Sequence, residues 1–151
     1  MDNNKIGTNS IQYIVVKFGD EQYGIDIKYV DNIVRLQKIT RVPKAQSFFN
    51  GVINLRGEII PVMSVRKRFG LEADEFTDHT RIIVLIPEQQ EPIGILVDVV
   101  KEVVTLDENQ IEKGFSDGKD EKNKFVNAVG KHQDSLISLM NVNGVLDFNK
   151  A

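Results

Sequence analysis

Two stretches of this chain repeat one pattern, YGIDIKYVDNIV at residues 23–34 and IGILVDVVKEVV at residues 93–104. Both stretches have glycine in second place, followed by isoleucine or valine at matching positions. The preceding segments YIVV (13–16) and IVLI (83–86) match at the same spacing, because position 13 falls on 83 as position 23 falls on 93. Self-similarity at a constant spacing indicates that one structural unit occurs twice.

A second pair of segments extends the repeat. IIPVMSV (59–65) resembles LISLMNV (136–142), at a spacing longer than that of the first pair. We therefore predict two copies of a unit of about 70 residues. The seven additional residues fit within the charged segment 112–124, which contains two glycines and is predicted to be a mobile loop.

Apolar residues occur in short runs that are rich in β-branched side chains and bounded by turn-forming residues, as strands are. These runs are 11–18, 24–27, 52–55, 59–65, 81–86, 93–104 and 135–142. Short helices are predicted at 43–50 and at Val65–Phe69, where Gly70 provides a C-terminal stop. Because small barrels leave no open sheet edge, the repeat predicts two packed β-barrels of about five strands each.

Composition restricts the classes of function. The 151 residues include 19 basic and 22 acidic side chains, a net charge of −3, and no cysteine, which suits a reducing compartment. Nucleic-acid-binding proteins usually carry a basic excess that this chain lacks. No apolar run approaches the roughly 18 residues of a membrane-spanning helix. The polar segment 1–10 is predicted to be a flexible tail and not a secretory signal.

The sequence contains no arrangement of side chains that indicates catalysis or a metal site. His79 and His132 lie in polar surroundings without a second ligand at metal-binding spacing, and are interpreted as exposed loop residues. The carboxylates of segment 72–78 have no apolar flank. Phosphate-binding glycine loops and nucleophile elbows are absent. We therefore predict no enzyme activity, catalytic residue, metal or cofactor.

Several other residues have structural interpretations. Gly24 and Gly94, at equivalent places in the repeat, indicate a bend, a bulge or a close approach of the backbone. Pro61 lies within an apolar run and predicts an edge strand or a bulge, because proline cannot donate a ladder hydrogen bond. A scattered basic set is interpreted as a solvated face: Arg41, Lys44, Arg66, Lys67 and Arg68.

Arg56 is the residue that a purely structural interpretation explains least well. The segment NLRGE (54–58) joins two apolar runs and predicts a hairpin in which Gly57 adopts a positive φ. Arginine at a hairpin tip is commonly a solubilising surface residue. Strand alternation, however, would place Asn54 and Arg56 on one face and Leu55 on the other. A forked donor beside an amide on a rigid hairpin is also suited to recognising a partner.

Three segments together resemble the CheW family of bacterial chemotaxis coupling proteins. They are FGDEQYGIDIKYVDNIV (18–34), TRVPKAQSFFNGVINLRGEIIPVMSVRKRFG (40–70) and PIGILVDVVKEVVTLDENQI (92–111). The resemblance runs from about Gln12 to Asp147. It implies an all-β fold of two packed five-stranded SH3-like β-barrels with a few short helices. It also implies a non-enzymatic adaptor that joins chemoreceptor tips to the histidine kinase CheA.

The resemblance further implies two binding sites. The cytoplasmic hairpin of a methyl-accepting chemoreceptor would lie in the groove between the barrels and contact Val30, Ile33, Asn54, Arg56 and Val99. The regulatory domain of CheA would contact Ile39 and Val42. Many family members have an acidic residue where Asn32 stands, so Arg56 needs another partner, and alternation makes Glu58 one candidate. The protein is expected to be cytoplasmic and recruited to receptor arrays, without membrane insertion or nucleic-acid binding.

Residues 11–151 are predicted to form one CheW-like domain of two intertwined barrels, approximately 20–82 and 83–142. The N-terminal strand and the C-terminal segment are possible points of exchange between the barrels. An alternative within the same fold is the corresponding domain of a CheV-type adaptor or of the kinase itself. An enzyme or small-ligand barrel and a nucleic-acid-binding barrel lack supporting residues.

Overall fold

A computed structural model describes residues 10–113 and 124–147 of the chain. The strands are β1 (Ser10–Phe18), β2 (Glu21–Asp26), β3 (Val30–Arg35), β4 (Phe49–Leu55), β5 (Glu58–Ser64), β6 (Arg81–Leu85), β7 (Ile93–Val97), β8 (Val99–Asp107), β9 (Ile111–Lys113), β10 (Val126–His132) and β11 (Ser135–Met140). The helices are α1 (Val65–Phe69) and α2 (Val142–Val145), and single 3-10 turns span Ile27–Tyr29 and Glu108–Gln110. The chain is therefore all-β with a few short helices, as predicted.

The two sheets share one strand order. The first sheet has the order β8-β1-β2-β11-β10-β9, and the second has the order β3-β6-β7-β5-β4. Each contains one parallel pair, β2 with β11 and β7 with β5, flanked by antiparallel strands. The first sheet has a sixth strand, the short β9, that the prediction of five strands per unit omitted. This shared order is the structural counterpart of the sequence repeat.

Ladder partners test the spacing of the repeat. Gly24 lies opposite Leu139 and Gly94 lies opposite Val62, so both pairs of matching segments keep their predicted alignment in the sheets. One predicted match is wrong by one position. Ile14 pairs with Ile25, whereas Ile83 pairs with Ile95, so Ile83 and not Val84 is the counterpart of Ile14. The cause lies in the connections, because β1 and β2 are joined by two residues and β6 and β7 by a longer segment that absorbs the difference.

Residue contacts divide the described chain into two units. One contains Tyr29–Val100, and the other contains the described residues up to Lys28 together with those from Lys101 onward. These bounds differ from the predicted 20–82 and 83–142. The reason is that the third strand of each copy pairs outside its own copy, since β3 pairs with β6 and β8 joins the sheet of β1. The same exchange places the N-terminal hairpin beside β11.

Each unit has its own apolar cluster. In the unit Tyr29–Val100 the cluster consists of six buried side chains of the second sheet: Ile53, Ile60, Val62, Ile82, Val84 and Leu96. The segment after β3 also packs on this cluster, and its Thr40 forms a single bridge with Val52. In the other unit the cluster consists of Tyr13, Val15, Val104, Leu106, Ala128, Ile137 and Leu139. Full burial of such a side chain stabilises the fold by about 1.5–3 kcal/mol.

The helix prediction at Val65–Phe69 is confirmed, and the one at 43–50 is wrong. Ser64 caps α1 by accepting a hydrogen bond from the Lys67 N–H, and Gly70 ends the helix at φ 79°. Residues 43–48 instead form two turns, and β4 already begins at Phe49. Two features exclude a helix there: Lys44 has φ 65°, and the backbone of Thr40 pairs with β4.

Pro61 lies inside the sheet and not at an edge or a bulge, which corrects the prediction. Its partner across the ladder is Val52. Val52 exchanges both of its backbone hydrogen bonds with Thr40, each 2.8 Å long, and so needs no donor from Pro61. On the other side, pairing with β7 begins one residue later at Val62. The missing N–H of proline therefore leaves no ladder bond unmade.

Two further predictions concern the ends of described segments. The predicted tail 1–10 lies outside the described residues except for Ser10, which begins β1. The predicted mobile loop 112–124 has its first two residues in β9, and 114–123 lie outside the described residues. No helix of the described ranges is long and apolar enough to cross a membrane.

Candidate functional site

All seven residues predicted to bind a partner belong to the unit Tyr29–Val100. The predicted receptor contacts are Val30 and Ile33 on β3, Asn54 and Arg56 at the β4–β5 hairpin, and Val99 at the start of β8. The predicted kinase contacts, Ile39 and Val42, lie in the segment between β3 and β4.

A register shift in β3 brings Val30 and Ile33 onto one face of the second sheet. Val30 lies opposite Leu85 and Ile33 lies opposite Ile83, with the shift at Asp31 between them. Directly opposed residues of an antiparallel pair point to the same face, and Leu85 and Ile83 are two residues apart. In a regular strand, residues three apart would point to opposite faces. We call this the outer face, since the apolar cluster lies on the other side of the sheet. Its central residues Ile83, Leu85 and Ile95 are themselves buried, so its exposed residues lie toward the edges of the sheet.

Asn54 shares the outer face. The ladder from β6 through β7 and β5 to β4 places Ile83, Ile95, Met63 and Pro61 on that face, and Asn54 follows two residues after Val52, the partner of Pro61. The register also puts Val30 and the hairpin turn toward the same end of the sheet, because β5 runs parallel to β7. The predicted receptor contacts therefore lie on one face of the sheet, at its two edge strands β3 and β4.

The β4–β5 turn contains Arg56 and Gly57, which have φ of 56° and 87°. Positive φ at both central residues is the geometry of a tight hairpin turn that matches the twist of the strands. The Gly57 N–H donates to Asn54 Oδ1 at 2.9 Å, so the Asn54 side chain stabilises the turn that presents Arg56. The prediction that Gly57 has a positive φ is confirmed.

Strand alternation was the wrong basis for orienting Arg56, because Arg56 lies in the turn and not in a strand. Glu58 lies opposite Leu55, whose side chain packs on the cluster side of the sheet, so Glu58 does not share the face of Asn54. Within residues 10–113 and 124–147, no carboxylate pairs with Arg56. Its guanidinium is exposed, and its five N–H donors remain available to a partner.

The positions of Asn32 and Asp31 also depart from regular strand alternation. Asn32 lies opposite Val84, which belongs to the apolar cluster, and is half-buried on that side. Asp31 is the residue at the register shift and is exposed. Neither Asn32 nor Asp31 therefore replaces the acidic partner that Arg56 has in many family members.

Ile59 is a surface residue that the sequence analysis missed. It lies directly opposite Asn54 on the outer face and is 60% exposed. Ile33 on the same face is 39% exposed. Alternation within β5 puts Ile59 on the face opposite to that of Ile60 and Val62, which belong to the apolar cluster. An exposed isoleucine beside a polar turn extends the apolar part of the candidate receptor surface.

Val99 follows a break in the run 93–104 that was predicted as one strand. Asp98 forms a bend between β7 and β8, and its carboxylate accepts from Arg66 Nε at 3.1 Å and from Nη2 at 2.5 Å. Arg66 Nη1 also donates to the Glu72 carbonyl at 3.1 Å. The hydrogen bonds to Asp98 raise the pKa of Arg66. This pair joins α1 to the bend that precedes Val99. Val99 itself belongs to β8 and is not part of the second sheet.

Ile39 and Val42 line a concavity of about 700 Å³. Ile39 also packs against the apolar cluster, so its side chain has a structural role. Val42 is 46% exposed and makes its surface available. The concavity is continuous with the turns of residues 43–47 and with Lys67 of α1 and Phe76 of the following segment. The structure thus brings together the two predicted kinase contacts.

Comparison with known proteins adds independent information. The family model for the CheW-like domain matches residues 12–150. The chemotaxis protein CheW of Bacillus subtilis (strain 168) is 35% identical over 134 residues, which cover 89% of this chain and 85% of that protein. The chemotaxis protein CheW of Helicobacter pylori (strain ATCC 700392 / 26695) is 30% identical over 136 residues, covering 90% and 81%. The crystal structure of scaffolding protein TtCheW from Thermoanaerobacter tengcongensis has a TM-score of 0.83 and 34% identity, over 93% of this chain and 95% of that one.

Proposed function

The chain belongs to the CheW-like domain family, whose members are chemotaxis coupling adaptors, and we propose that it joins a chemoreceptor to the histidine kinase CheA. Its partners in this proposal are the cytoplasmic hairpin of a methyl-accepting chemoreceptor and the regulatory domain of the kinase. It acts by binding and not by catalysis. It works in the cytoplasm and is recruited to receptor arrays, where many weak contacts combine into high avidity.

The receptor binds the exposed edge residues of the outer face and the hairpin turn. The observation that carries this proposal is Arg56, an exposed arginine without an ion pair in the described chain, on a turn that Asn54 fixes. Ile33 and Val30 supply apolar surface on the same sheet, and Arg56 supplies charge at its end. An apolar centre with a polar rim is typical of protein interfaces. An amphipathic receptor helix is a ligand that such a surface fits.

Replacing Arg56 by alanine tests the receptor site. We expect Arg56→Ala to weaken binding of a receptor cytoplasmic fragment by about tenfold, measured by isothermal titration calorimetry, because a forked donor at an interface contributes about 1–2 kcal/mol. Gln133→Ala is the matched control, since Gln133 occupies the equivalent turn position of the other unit and has the same φ of 56°. If Arg56→Ala lowers Tm by several degrees and leaves binding unchanged, the arginine is structural.

The kinase binds the concavity that Ile39 and Val42 line. Val42→Asp is expected to weaken binding of the kinase regulatory domain at least tenfold, because it places a charge on the exposed apolar part of the interface. Val103→Asp is the control, since Val103 is a similarly exposed valine of the other unit, at 52%. Unchanged kinase affinity in Val42→Asp would show that the kinase binds elsewhere.

Simultaneous binding is required of an adaptor. A pull-down with the receptor fragment and the kinase domain, separately and together, should recover a ternary complex. Competition between the two partners would contradict coupling, even if each bound alone.

A further inference from the structure

The charges of this chain are distributed unevenly in a way that the net charge of −3 conceals. Between Asp31 and Glu58 there is no acidic residue, although the whole chain has 22. The same segment contains five basic residues: Arg35, Lys38, Arg41, Lys44 and Arg56. Arg41 and Lys44 belong to the basic set that was interpreted above as a solvated face. A continuous segment without acids gives a local positive potential that attracts negative partners.

The fold concentrates part of this charge in the concavity beside Ile39 and Val42. Three cations line it, namely Arg41 and Lys44 from the segment itself and Lys67 from α1. No carboxylate is among the described residues that line it. All three cationic side chains are exposed, and none forms an ion pair within the described part of the chain. Lys67 is far from Arg41 and Lys44 in sequence, and helix α1 brings its positive charge to the same surface.

The turn at Pro43 and Lys44 holds the backbone of one of these cations in place. Lys44 has φ 65°, a conformation that glycine or asparagine adopts more readily than lysine. Two exposed apolar side chains line the same concavity, Val42 at 46% and Phe76 at 53%. A lining that combines cationic and apolar side chains suits a folded or extended protein segment. A nucleic-acid backbone would satisfy the cations but would leave both apolar side chains uncovered.

We propose that the concavity binds an acidic segment of the kinase regulatory domain, with carboxylates facing Arg41, Lys44 and Lys67 and an apolar side chain against Val42 and Phe76. This inference rests on the proposed function, because it assigns the chemistry of the kinase surface that occupies the site. Opposite charges around an apolar centre accelerate association and orient the partner. Binding of the kinase domain should therefore depend strongly on ionic strength, and binding of the receptor fragment should depend on these cations much less.

The test compares the wild-type chain with the triple variant Arg41→Gln, Lys44→Asn, Lys67→Gln. Asparagine tolerates positive φ, so the turn is retained while the charge is lost. Association of the kinase domain is followed by stopped flow across an ionic-strength series. We expect the triple variant to associate about tenfold more slowly at low salt and to lose most of its salt dependence. Lys131→Gln, which removes an exposed cation of the other unit, should leave the rate unchanged.

The outcomes separate this inference from the proposed function. If Val42→Asp abolishes kinase binding while the triple variant retains the full rate and salt dependence, the site is the kinase site and the acidic-segment proposal is wrong. If Val42→Asp and the triple variant both leave kinase binding unchanged, the kinase site itself is wrong. Retention of a short DNA duplex by the wild type that the triple variant loses would overturn the proposal in favour of nucleic acid. Thermal unfolding of each variant confirms that it is folded.

Discussion

Arg56 occupies a backbone conformation that its side chain disfavours. An L-residue with a Cβ pays about 1–2 kcal/mol to adopt the left-handed region, and Arg56 has φ 56°. The Asn54 hydrogen bond to Gly57 and the strand pairing around the turn hold it there. Gln133 has the same φ in the other unit, so the fold imposes this conformation in both copies. What distinguishes Arg56 is the charge that it carries at the end of the outer face.

The strain predicts that stability and function respond oppositely to substitution. Arg56→Asn should raise the free energy of unfolding by about 0.5–1 kcal/mol, because asparagine adopts positive φ more easily. The same change should weaken receptor binding about tenfold, since the forked donor is lost. Urea unfolding and calorimetric titration measure the two effects. Gln133→Asn is expected to increase stability equally and to leave receptor binding intact. A variant that is more stable and still binds normally would remove Arg56 from the site.

Among the elements, the segment between β3 and β4 is anchored to the second sheet through Thr40. Thr40 and Val52 exchange two backbone hydrogen bonds, and this bridge holds the chain that lines the concavity. The bridge requires glycine at position 51, since a Cβ there would lie 2.2 Å from the Thr40 carbonyl oxygen and φ is 142°. Gly57 also has positive φ, but no atom lies within 4 Å of its Cβ position.

Two alanine substitutions separate the effects of close approach and backbone conformation. Gly51→Ala should lower the free energy of unfolding by about 3 kcal/mol or more, because it adds a clash with backbone to an unfavourable φ. Gly57→Ala should cost only about 1 kcal/mol, the contribution of the backbone alone. Urea denaturation at constant pH measures both values. Equal costs at the two positions would mean that Thr40 can move away without loss.

The Arg66–Asp98 pair is the other device that fixes an element, because it ties α1 to the bend before β8. Both side chains are partly buried, with exposed fractions of 16% and 27%. A double-mutant cycle with Arg66→Gln and Asp98→Asn should give a coupling free energy of about 1–3 kcal/mol. The amide resonance of Val99 should shift in Asp98→Asn, as the bend relaxes. The exposed Glu102→Gln on β8 is the control, and zero coupling in the cycle would show that the pair does not hold the bend.

At the scale of the whole molecule, the repeat supplies an internal comparison. Ile59 and Leu136 occupy equivalent positions after the two hairpin turns and are similarly exposed, at 60% and 61%. Arg56 and the basic concavity belong to the unit of Ile59, and Gln133 takes the place of Arg56 in the other unit. The fold therefore repeats an exposed apolar position, whereas the charged residues around it differ between the copies.

Matched substitutions at Ile59 and Leu136 test whether the receptor site is confined to one unit. Ile59→Ser should weaken receptor binding by about 1–2 kcal/mol, because it removes an apolar contact of the outer face. Leu136→Ser should leave receptor binding unchanged. Both should alter Tm by less than about 2 °C, because neither side chain is buried in the folded protein. Equal losses of receptor affinity in the two variants would contradict a receptor site confined to the unit Tyr29–Val100.

Local patterns in the sequence were sufficient for much of this fold. The alternation and length of the apolar runs indicated most strands, Gly57 indicated the hairpin, and Gly70 indicated the end of α1, because each signal depends on residues close in sequence. The resemblance through NLRGEIIPV led to the family, which the comparisons confirm. The role of individual residues in binding stays a prediction.

The amino-acid sequence by itself determined that two similar β-rich units occur, with shared glycines and one elaborated hairpin. Only the tertiary structure decided which strands pair, because β3 and β8 bond to strands far away in sequence. It also decided the face of Val30 through the shift at Asp31, and the harmless position of Pro61 through the Thr40 bridge. Strand alternation reports a face only while the ladder is regular. Long-range pairing, bulges and turns change the face of a residue without changing its local pattern.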